Sequence, residues 1–436
     1  MTVTATPSTP APPKGVTAAM GALALGGFGI GTTEFATMGL LPQMAQTFDI
    51  SIPTAGHAIS LYALGVVVGA PLIAGLAARL PRKGLLIGLT IALAVGNGLS
   101  AVAPSTTALM AARFLAGLPH GAYFGIAAVV AAALVPPERR GTAVARVMVG
   151  LTVANLVGVP LATAAGQQIG WRAAYAAVAV IAAITAVTLI MWLPHMPKSH
   201  DATIRAELRA FRRPQVWFAL VTGMVGFGGM FAVYSYISPV TTEVAGLPEA
   251  AVPWMLAAFG LGMTLGATLG GRFVDRSVTG SVFGSLVAVT AVLALFGLTA
   301  HWPVAAFGTV LLLGFVSQVL ASALQVRLMD ASPDAPSLAS SSNHSALNVA
   351  NGAGAWLGGL AIAWGWGYTS TAWVGVVLSL AGLAVAGASV LVERGRRSGG
   401  RGSEARGSGE RGSGERGSGE RGSGERGSEG RAVRGS

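Results

Sequence analysis

A single carboxylate, Glu34, lies inside an apolar stretch that begins near Thr17 and is long enough to cross a lipid bilayer. An isolated charge at membrane depth costs about 3 to more than 10 kcal/mol, so such a residue usually faces water or a partner. A carboxyl group can carry a proton, because desolvation favours its neutral form and a nearby cation favours its charged form. A cycle that alternates these surroundings would load and release that proton. The simpler alternative is a hydrated carboxylate near the membrane surface.

A second set of polar residues follows helical spacing, since Arg113, Gly117, His120 and Phe124 fall on one stripe of a helix. A guanidinium group stays protonated in proteins, so Arg113 can hold or repel a charge but cannot carry a proton. Arg113 could instead satisfy carbonyl groups between helices. His120 is eligible as a proton carrier because imidazole titrates near neutral pH, with a packed polar residue as the alternative. The candidate proton-coupling residues are Glu34, Arg113 and His120, and whether Glu34 and Arg113 pair is left open.

Two further polar stripes occur late in the chain, one with Gln318 and Gln325 and the other with His344, Asn348 and Asn351. Neither contains a carboxylate. Stripes of this kind either join helices by hydrogen bonds or line a cavity. Tyr234 and Tyr236 are assigned to an aromatic belt at the membrane interface rather than to a substrate site. With three residues from the first half added, the candidate substrate-cavity residues are Tyr123, Phe124, Asn155, Gln318, Gln325, His344, Asn348 and Asn351.

The composition is that of a polytopic membrane protein, with 53% hydrophobic and only 10% charged residues in 436. The net charge of +11 does not indicate a nucleic-acid partner, because the segment from Arg394 onward alone holds eleven Arg and six Glu and the other charges lie in short loops. Cysteine is absent, which excludes disulfides and thiolate metal sites. We expect no metal and no cofactor.

The sequence predicts an all-α protein with twelve membrane-spanning helices, taking about 20 apolar residues per span. The first six spans lie at 17–46, 53–78, 84–103, 105–134, 140–168 and 172–193, and the second six at 215–240, 251–272, 280–300, 303–327, 337–364 and 369–392. The predicted domains are a disordered lead at 1–16, a six-helix bundle at 17–193, a cytoplasmic linker at 194–214, a second six-helix bundle at 215–392 and a disordered Arg/Gly/Ser/Glu tail at 393–436.

The loops between these spans differ in charge, with fourteen basic residues in the even-numbered loops and one, Arg172, in the odd-numbered loops. Basic residues favour the cytoplasmic side of short loops. The asymmetry therefore predicts that the even loops and both termini are cytoplasmic and that the protein lies in the cell (inner) membrane.

The two halves of the chain resemble each other at an offset of 197 residues, which places a segment of the second predicted span on a segment of the eighth. Tyr62, Gly65, Gly69 and Arg79 then fall on Phe259, Gly262, Gly266 and Arg276. Parallel repeats of six helices are typical of transporters in which two bundles rock around a central site.

Several short motifs resemble those of the twelve-span drug:proton antiporters of the major facilitator superfamily, and within them the arabinose-efflux-like and chloramphenicol-resistance-like branch. The eighth predicted span ends in Gly271-Arg-Phe-Val-Asp275-Arg276, similar to the family's gating loop, and the second keeps Arg79, Arg82 and Lys83 but has Ala78 in place of the acid. Arg113-Phe-Leu-Ala-Gly117 resembles the family's Arg-x-x-x-Gly motif, whose arginine is implicated in proton coupling. Gly150, Gly158, Pro160 and Gly166 resemble the antiporter motif, with Val159 inserted between glycine and proline.

The resemblance implies a proton-coupled transporter that exports drug-like or sugar-like molecules by alternating access between two bundles. An uptake permease for a sugar or metabolite is the alternative within the same fold, and a non-transporting receptor or scaffold is the alternative from another class. No zinc-hydrolase or nucleotide-binding motif occurs, so we do not expect an enzyme. The expected partners are a small-molecule substrate, protons and the lipid bilayer, and the protein is expected to be a monomer.

Overall fold

A computed structural model describes residues 15–77, 80–196, 211–332 and 336–411, and these residues form helices and connecting loops without any strand. Twelve long helices correspond to the twelve predicted spans. They are α1 (Val16–Gly39), α2 (Ile52–Ala77), α3 (Arg82–Ala101), α4 (Thr106–Ala133), α5 (Arg140–Ile169), α6 (Trp171–Trp192), α7 (Pro214–Tyr234), α8 (Glu249–Arg276), α9 (Val278–Thr299), α10 (Pro303–Ala331), α11 (Pro336–Ala363) and α12 (Ser370–Arg411).

Eleven of these helices are long and apolar enough to cross a membrane. The other is α11, which has 28 residues but carries a polar first half rich in Ser and Asn. A polar helix at membrane depth is stable where it packs against other helices instead of lipid. The protein is therefore an all-α polytopic membrane protein, as the sequence predicts.

Proline residues change two of the predicted spans. The first predicted span, 17–46, is in fact two helices, α1 and the short Leu41–Phe48, because Pro42 lies in the first turn of the second helix and interrupts the backbone hydrogen bonds. Within α5, residues Ala154–Gly158 form a π-helical turn just before Pro160. Proline has no backbone N–H, so a helix that precedes it must adjust its hydrogen bonding locally.

The internal repeat also appears in how the helices pack, since α2 packs on α4 in the first half and α8 packs on α10 in the second. At each crossing a glycine lies so close to a backbone carbonyl oxygen of the other helix that a Cβ atom would collide with it. The glycine and carbonyl pairs of the first half are Gly65 with Phe114 and Gly117 with Tyr62, and those of the second are Gly262 with Leu311 and Gly314 with Phe259. All four correspondences have the offset of 197 residues, so the halves share one packing scheme.

This close packing makes a stability prediction. Because a side chain at these positions would overpack the crossing, Gly117→Val and Gly314→Val should each destabilise the protein by about 1 to 3 kcal/mol or more. The measurement is thermal unfolding of the purified protein in detergent, with Gly308→Ala on α10 as the control because nothing lies within 4 Å of a Cβ built there. Melting temperatures equal to that of the parent would show that the two crossings are looser than the structure indicates.

The two halves meet along α1, α2, α4 and α5 from the first and α7, α8 and α11 from the second. We call the end of the bundle that carries the odd-numbered loops the odd-loop end and the opposite end the even-loop end. At the odd-loop end the halves share one apolar core, in which Phe35, Met38 and Ile59 are buried together with Phe231 and Leu256. This core closes the odd-loop end.

Polar contacts reinforce the closure. The Gln43 side-chain amide donates to the Glu249 carboxylate over 3.2 Å, and the Gln167 amide donates to the Glu249 backbone oxygen over 2.9 Å. Nearer the middle, Ser60 Oγ donates to the Gly352 carbonyl oxygen over 3.1 Å.

The described residues up to Gly387 form one compact unit. Beyond it α12 continues as a helix to Arg411, into the segment for which the sequence predicts disorder. The prediction of disorder is wrong for residues 394–411, because extending an existing helix needs no new nucleus. The lead at 1–14, most of the linker (197–210), Ala78, Arg79 and the tail from 412 lie outside the described residues.

Candidate functional site

Glu34 lies at the junction between the two halves. Its side chain is 6% exposed, and its Oε1 accepts a hydrogen bond of 3.2 Å from Asn351 Nδ2 of α11. It is the one buried Asp or Glu among the described residues. The structure thus places the carboxyl group in the interior of the bundle, not at a hydrated surface, and ties it to the opposite half.

Arg113 is completely buried and binds the residue next to Glu34. Its Nη1 donates to Thr33 Oγ1 over 2.9 Å and its Nη2 to the Thr33 carbonyl oxygen over 3.1 Å. The guanidinium carbon lies 4.4 Å from the ring centre of Tyr62 and 5.0 Å from that of Tyr175, both cation–π distances. Thr33 Oγ1 in turn donates to Asn97 of α3.

Glu34 and Arg113, both within the described residues, do not form an ion pair. Within the described part of the chain, no ion pair links the Arg113 guanidinium to a carboxylate, and Thr33 and two aromatic rings surround it. Neighbouring residues on an α-helix point about 100° apart, so Thr33 faces the first half while Glu34 faces the second. The sequence did not mark Thr33, Asn97, Tyr62 or Tyr175 as site residues, because uncharged residues of these types are common in any membrane helix.

His120 continues the polar contacts toward the even-loop end. Its Nδ1 lies 3.1 Å from Tyr62 Oη, and its ring centre lies 6.5 Å from that of His344 in the opposite half. The His344 ring stacks on Phe124 at 5.1 Å with an interplanar angle of 7°. The predicted cavity residues Phe124 and His344 thus meet across the junction, whereas the described contacts do not assign His120 a role in proton transfer.

Four aromatic side chains line the junction next to Glu34. Tyr234 stacks on Phe259 with ring centres 3.9 Å apart and meets Phe35 edge-on at 5.8 Å, and Phe35 lies parallel to Phe231 at 6.3 Å. The assignment of Tyr234 and Tyr236 to an interfacial belt is wrong, because both are only 1% exposed. Span counting misplaced them because α7 ends at Tyr234 and the chain continues through further short helical turns to Val244.

The other predicted cavity residues differ in position. Asn155, Asn348 and Asn351 are buried and lie at the junction, as described below. Tyr123 does not, because its hydroxyl donates to the Leu23 carbonyl oxygen over 2.8 Å and so packs α4 on α1 inside the first half. Gln318 is half-buried where α10 crosses α8 at Gly266, and Gln325 is half-buried about two turns further on.

Residues 23–333 match the Major Facilitator Superfamily. This chain belongs to that superfamily. It is 42% identical over 364 residues to the inner membrane transport protein YdhP of Escherichia coli K12, covering 84% of this chain and 93% of that protein. It is 33% identical over 334 residues to a chloramphenicol resistance protein of Streptomyces lividans, covering 74% and 84%.

The fold is similar to that of a solved superfamily structure as well. The crystal structure of a bacterial homologue of the human lysosomal transporter Spinster, in an inward-facing and unoccupied conformation, matches with a TM-score of 0.69 at 16% identity, covering 86% of this chain and 97% of that one. The family predicted from the motifs is confirmed, and the chain is a membrane-embedded transporter of this superfamily.

The family's antiporter motif has a clear structural role in this chain. A Cβ atom at Gly150 would collide with the Ala24 carbonyl oxygen of α1. At Gly158 it would press on side chains of α1, and at Gly166 on the side chain of the residue that follows α1. Pro160 follows the π-helical turn. The motif therefore lets α5 lie directly against α1, the helix that carries Glu34.

The family's gating loops are only partly described. Lys83 Nζ donates to the carbonyl oxygens of Ile190 and Leu193 at the end of α6, which is where a cation stabilises a helix. Arg82 is half-buried, and Asp275 and Arg276 are exposed at the end of α8. The role of these residues in gating stays a prediction.

Proposed function

We propose that this protein is a proton-coupled secondary transporter that exports small drug-like or sugar-like molecules by alternating access. The observation that carries the proposal is the bond between Glu34 and Asn351, because it places a titratable group between the two halves that must move. Two relatives support the proposal, since one is named as a chloramphenicol resistance protein and the other as a probable sugar efflux transporter.

The geometry of the junction supports this proposed coupling. Opening the odd-loop end requires α1 and α2 to separate from α7 and α11, which breaks the contact between Glu34 and Asn351 and brings water to the carboxyl group. A change in solvation and in hydrogen bonding changes the proton affinity of a carboxyl group. Proton binding and the opening of the odd-loop end are then linked, and each biases the other.

Arg113 fixes the position of Glu34 in this scheme. Two hydrogen bonds hold the Arg113 guanidinium on Thr33, so the cation stays at a constant place in the first half while α11 moves. With the even loops in the cytoplasm, the closed odd-loop end faces the outside of the cell. Protonation would then occur from outside and release to the cytoplasm.

The test reconstitutes the full chain in proteoliposomes that contain a pH-sensitive dye and imposes a proton gradient in either direction. Chloramphenicol and simple sugars serve as probes, in parallel with empty liposomes. Counter-movement of probe and proton supports export, whereas co-movement in the same direction shows an uptake permease. Probe movement that ignores the proton gradient in both directions would remove proton coupling.

We call the hydrogen bond from Gln43 to Glu249 the latch, and we expect its strength to affect how often the odd-loop end opens. Glu249→Ala removes the bond from Gln43, which is worth about 0.5 to 1.5 kcal/mol, so opening should increase roughly two- to tenfold. The chain has no cysteine, so Ala55→Cys, at a position buried in the odd-loop core, reports opening through its rate of labelling by a maleimide. Glu138→Ala at the even-loop end is the control. An unchanged labelling rate would show that the latch does not limit opening.

A further inference from the structure

Four buried side chains at the junction, and that of Ser317 on α10, have an oxygen atom without a hydrogen-bond partner. They are 0–4% exposed, and three of the atoms are amide oxygens while two are hydroxyls. A buried polar atom without a partner is costly, so each one requires an explanation, such as a functional role or a bound water or ion. The atoms are Asn155 Oδ1, Asn348 Oδ1, Asn351 Oδ1, Tyr234 Oη and Ser317 Oγ.

Each of the three asparagines has a side-chain carbonyl oxygen that is free to accept a hydrogen bond. The Asn155 amide nitrogen donates to the Leu151 carbonyl oxygen over 3.0 Å, and that of Asn348 donates to the His344 carbonyl oxygen over 3.0 Å. The Asn351 amide nitrogen donates to Glu34. Because an acceptor faces each nitrogen, the orientation of each amide is fixed, and the free atom is the carbonyl oxygen.

The contacts between helices connect most of these atoms around one place. Asn351 binds Glu34, and Phe35, the residue after Glu34, contacts the ring of Tyr234. Tyr234 stacks on Phe259, and the following residue of α8, Gly260, lies against the Asn155 backbone. Asn348 is one helical turn from Asn351 on the same face of α11. The cluster therefore combines unpartnered acceptors with the aromatic wall formed by Phe35, Phe231, Tyr234 and Phe259.

We propose that the substrate bound at this cluster is an uncharged molecule with one flat apolar face and several O–H or N–H donors along its edge. The donors bind the amide oxygens of Asn155, Asn348 and Asn351, and the apolar face packs on the aromatic wall. A carboxylate or phosphate group has no donor for these amide oxygens. An aromatic cation without donors would leave the amide oxygens unpartnered. This inference rests on the proposed transport function and names its substrate class.

The experiment measures equilibrium binding to the purified full chain in nanodiscs, without any proton gradient. The probes are phenyl β-D-glucoside, which carries a ring and four hydroxyl donors, its tetra-O-methyl derivative, which keeps the ring but has no donor, and tetraphenylphosphonium, an aromatic cation without donors. A site built to hydrogen-bond its ligand rejects analogues that lack the donor. We expect the glucoside to bind about tenfold or more tightly than either of the other two.

Two variants test whether the cluster is responsible. Asn348→Leu removes one acceptor, and Tyr234→Phe removes one hydroxyl while it keeps the ring. Each should weaken glucoside binding by about tenfold and leave the weak binding of the methylated probe unchanged, so the ratio between the two probes falls. Asn343→Leu, a matched amide change on α11 outside the cluster, should not alter the ratio. A variant that merely damaged the fold would weaken both probes together.

Three outcomes overturn the inference: equal binding of the glucoside and its methylated derivative, tighter binding of tetraphenylphosphonium, or binding of none of the probes. Because the measurement uses no gradient, it does not depend on proton coupling. Donor-selective binding without proton movement would contradict the proposed coupling and support the substrate class. Proton movement without donor-selective binding would support the coupling and contradict the substrate class.

Discussion

Glu34→Gln is expected to abolish proton movement coupled to transport while leaving the protein able to exchange substrate across the membrane. Glutamine has nearly the shape of glutamic acid and can still accept a hydrogen bond from Asn351 Nδ2 over the observed 3.2 Å, but it cannot bind or release a proton. The proteoliposome dye signal on addition of substrate should fall to that of empty liposomes. Exchange of labelled for unlabelled substrate at equal pH should continue.

The matched control for this experiment is Glu249→Gln, which makes the same chemical change at an exposed position of the odd-loop end. It should keep the proton signal. If Glu34→Gln retained that signal, the proton would travel by another group, and Glu34 would have only a structural role. If the variant lost exchange as well, the carboxyl group would be needed to bind substrate.

Arg113→Lys should leave the protein folded and lower its transport rate by roughly ten- to hundredfold. Lysine keeps the positive charge, but it lacks the planar fork that donates to both Thr33 Oγ1 and the Thr33 carbonyl oxygen and that lies between Tyr62 and Tyr175. Loss of one hydrogen bond to a charged group is worth about 1.5 to 3 kcal/mol, and every 1.4 kcal/mol is about tenfold. Initial rates in proteoliposomes measure the effect.

Comparison of two variants separates charge from geometry at this position. Arg113→Ala removes both, and it leaves a cavity between two aromatic rings, so it should also lower the unfolding temperature. Thr33→Val keeps the charge and removes one acceptor, and it should reproduce much of the loss seen in Arg113→Lys. Full transport by Arg113→Lys would show that positive charge alone is sufficient and that the fork on Thr33 has no functional role.

The sequence by itself determined the class of protein, the helices and the family. In a bilayer every backbone polar group must be satisfied within the helix, so a run of about 20 apolar residues has few structural options. For the same reason one carboxylate within such a run identified Glu34. The repeat at an offset of 197 residues was detectable because small residues must recur wherever helices cross closely, as Gly65 and Gly262 do.

Only the tertiary structure decided which polar groups meet. Glu34 pairs with Asn351, 317 residues away, and Arg113 binds Thr33 instead of the neighbouring carboxylate. These partners depend on how each helix is rotated and where it crosses the next, and the pattern of apolar residues does not record either. Tyr234 shows the same limit, since the end of α7 deep inside the bundle turned a predicted interfacial residue into part of the aromatic wall beside Glu34.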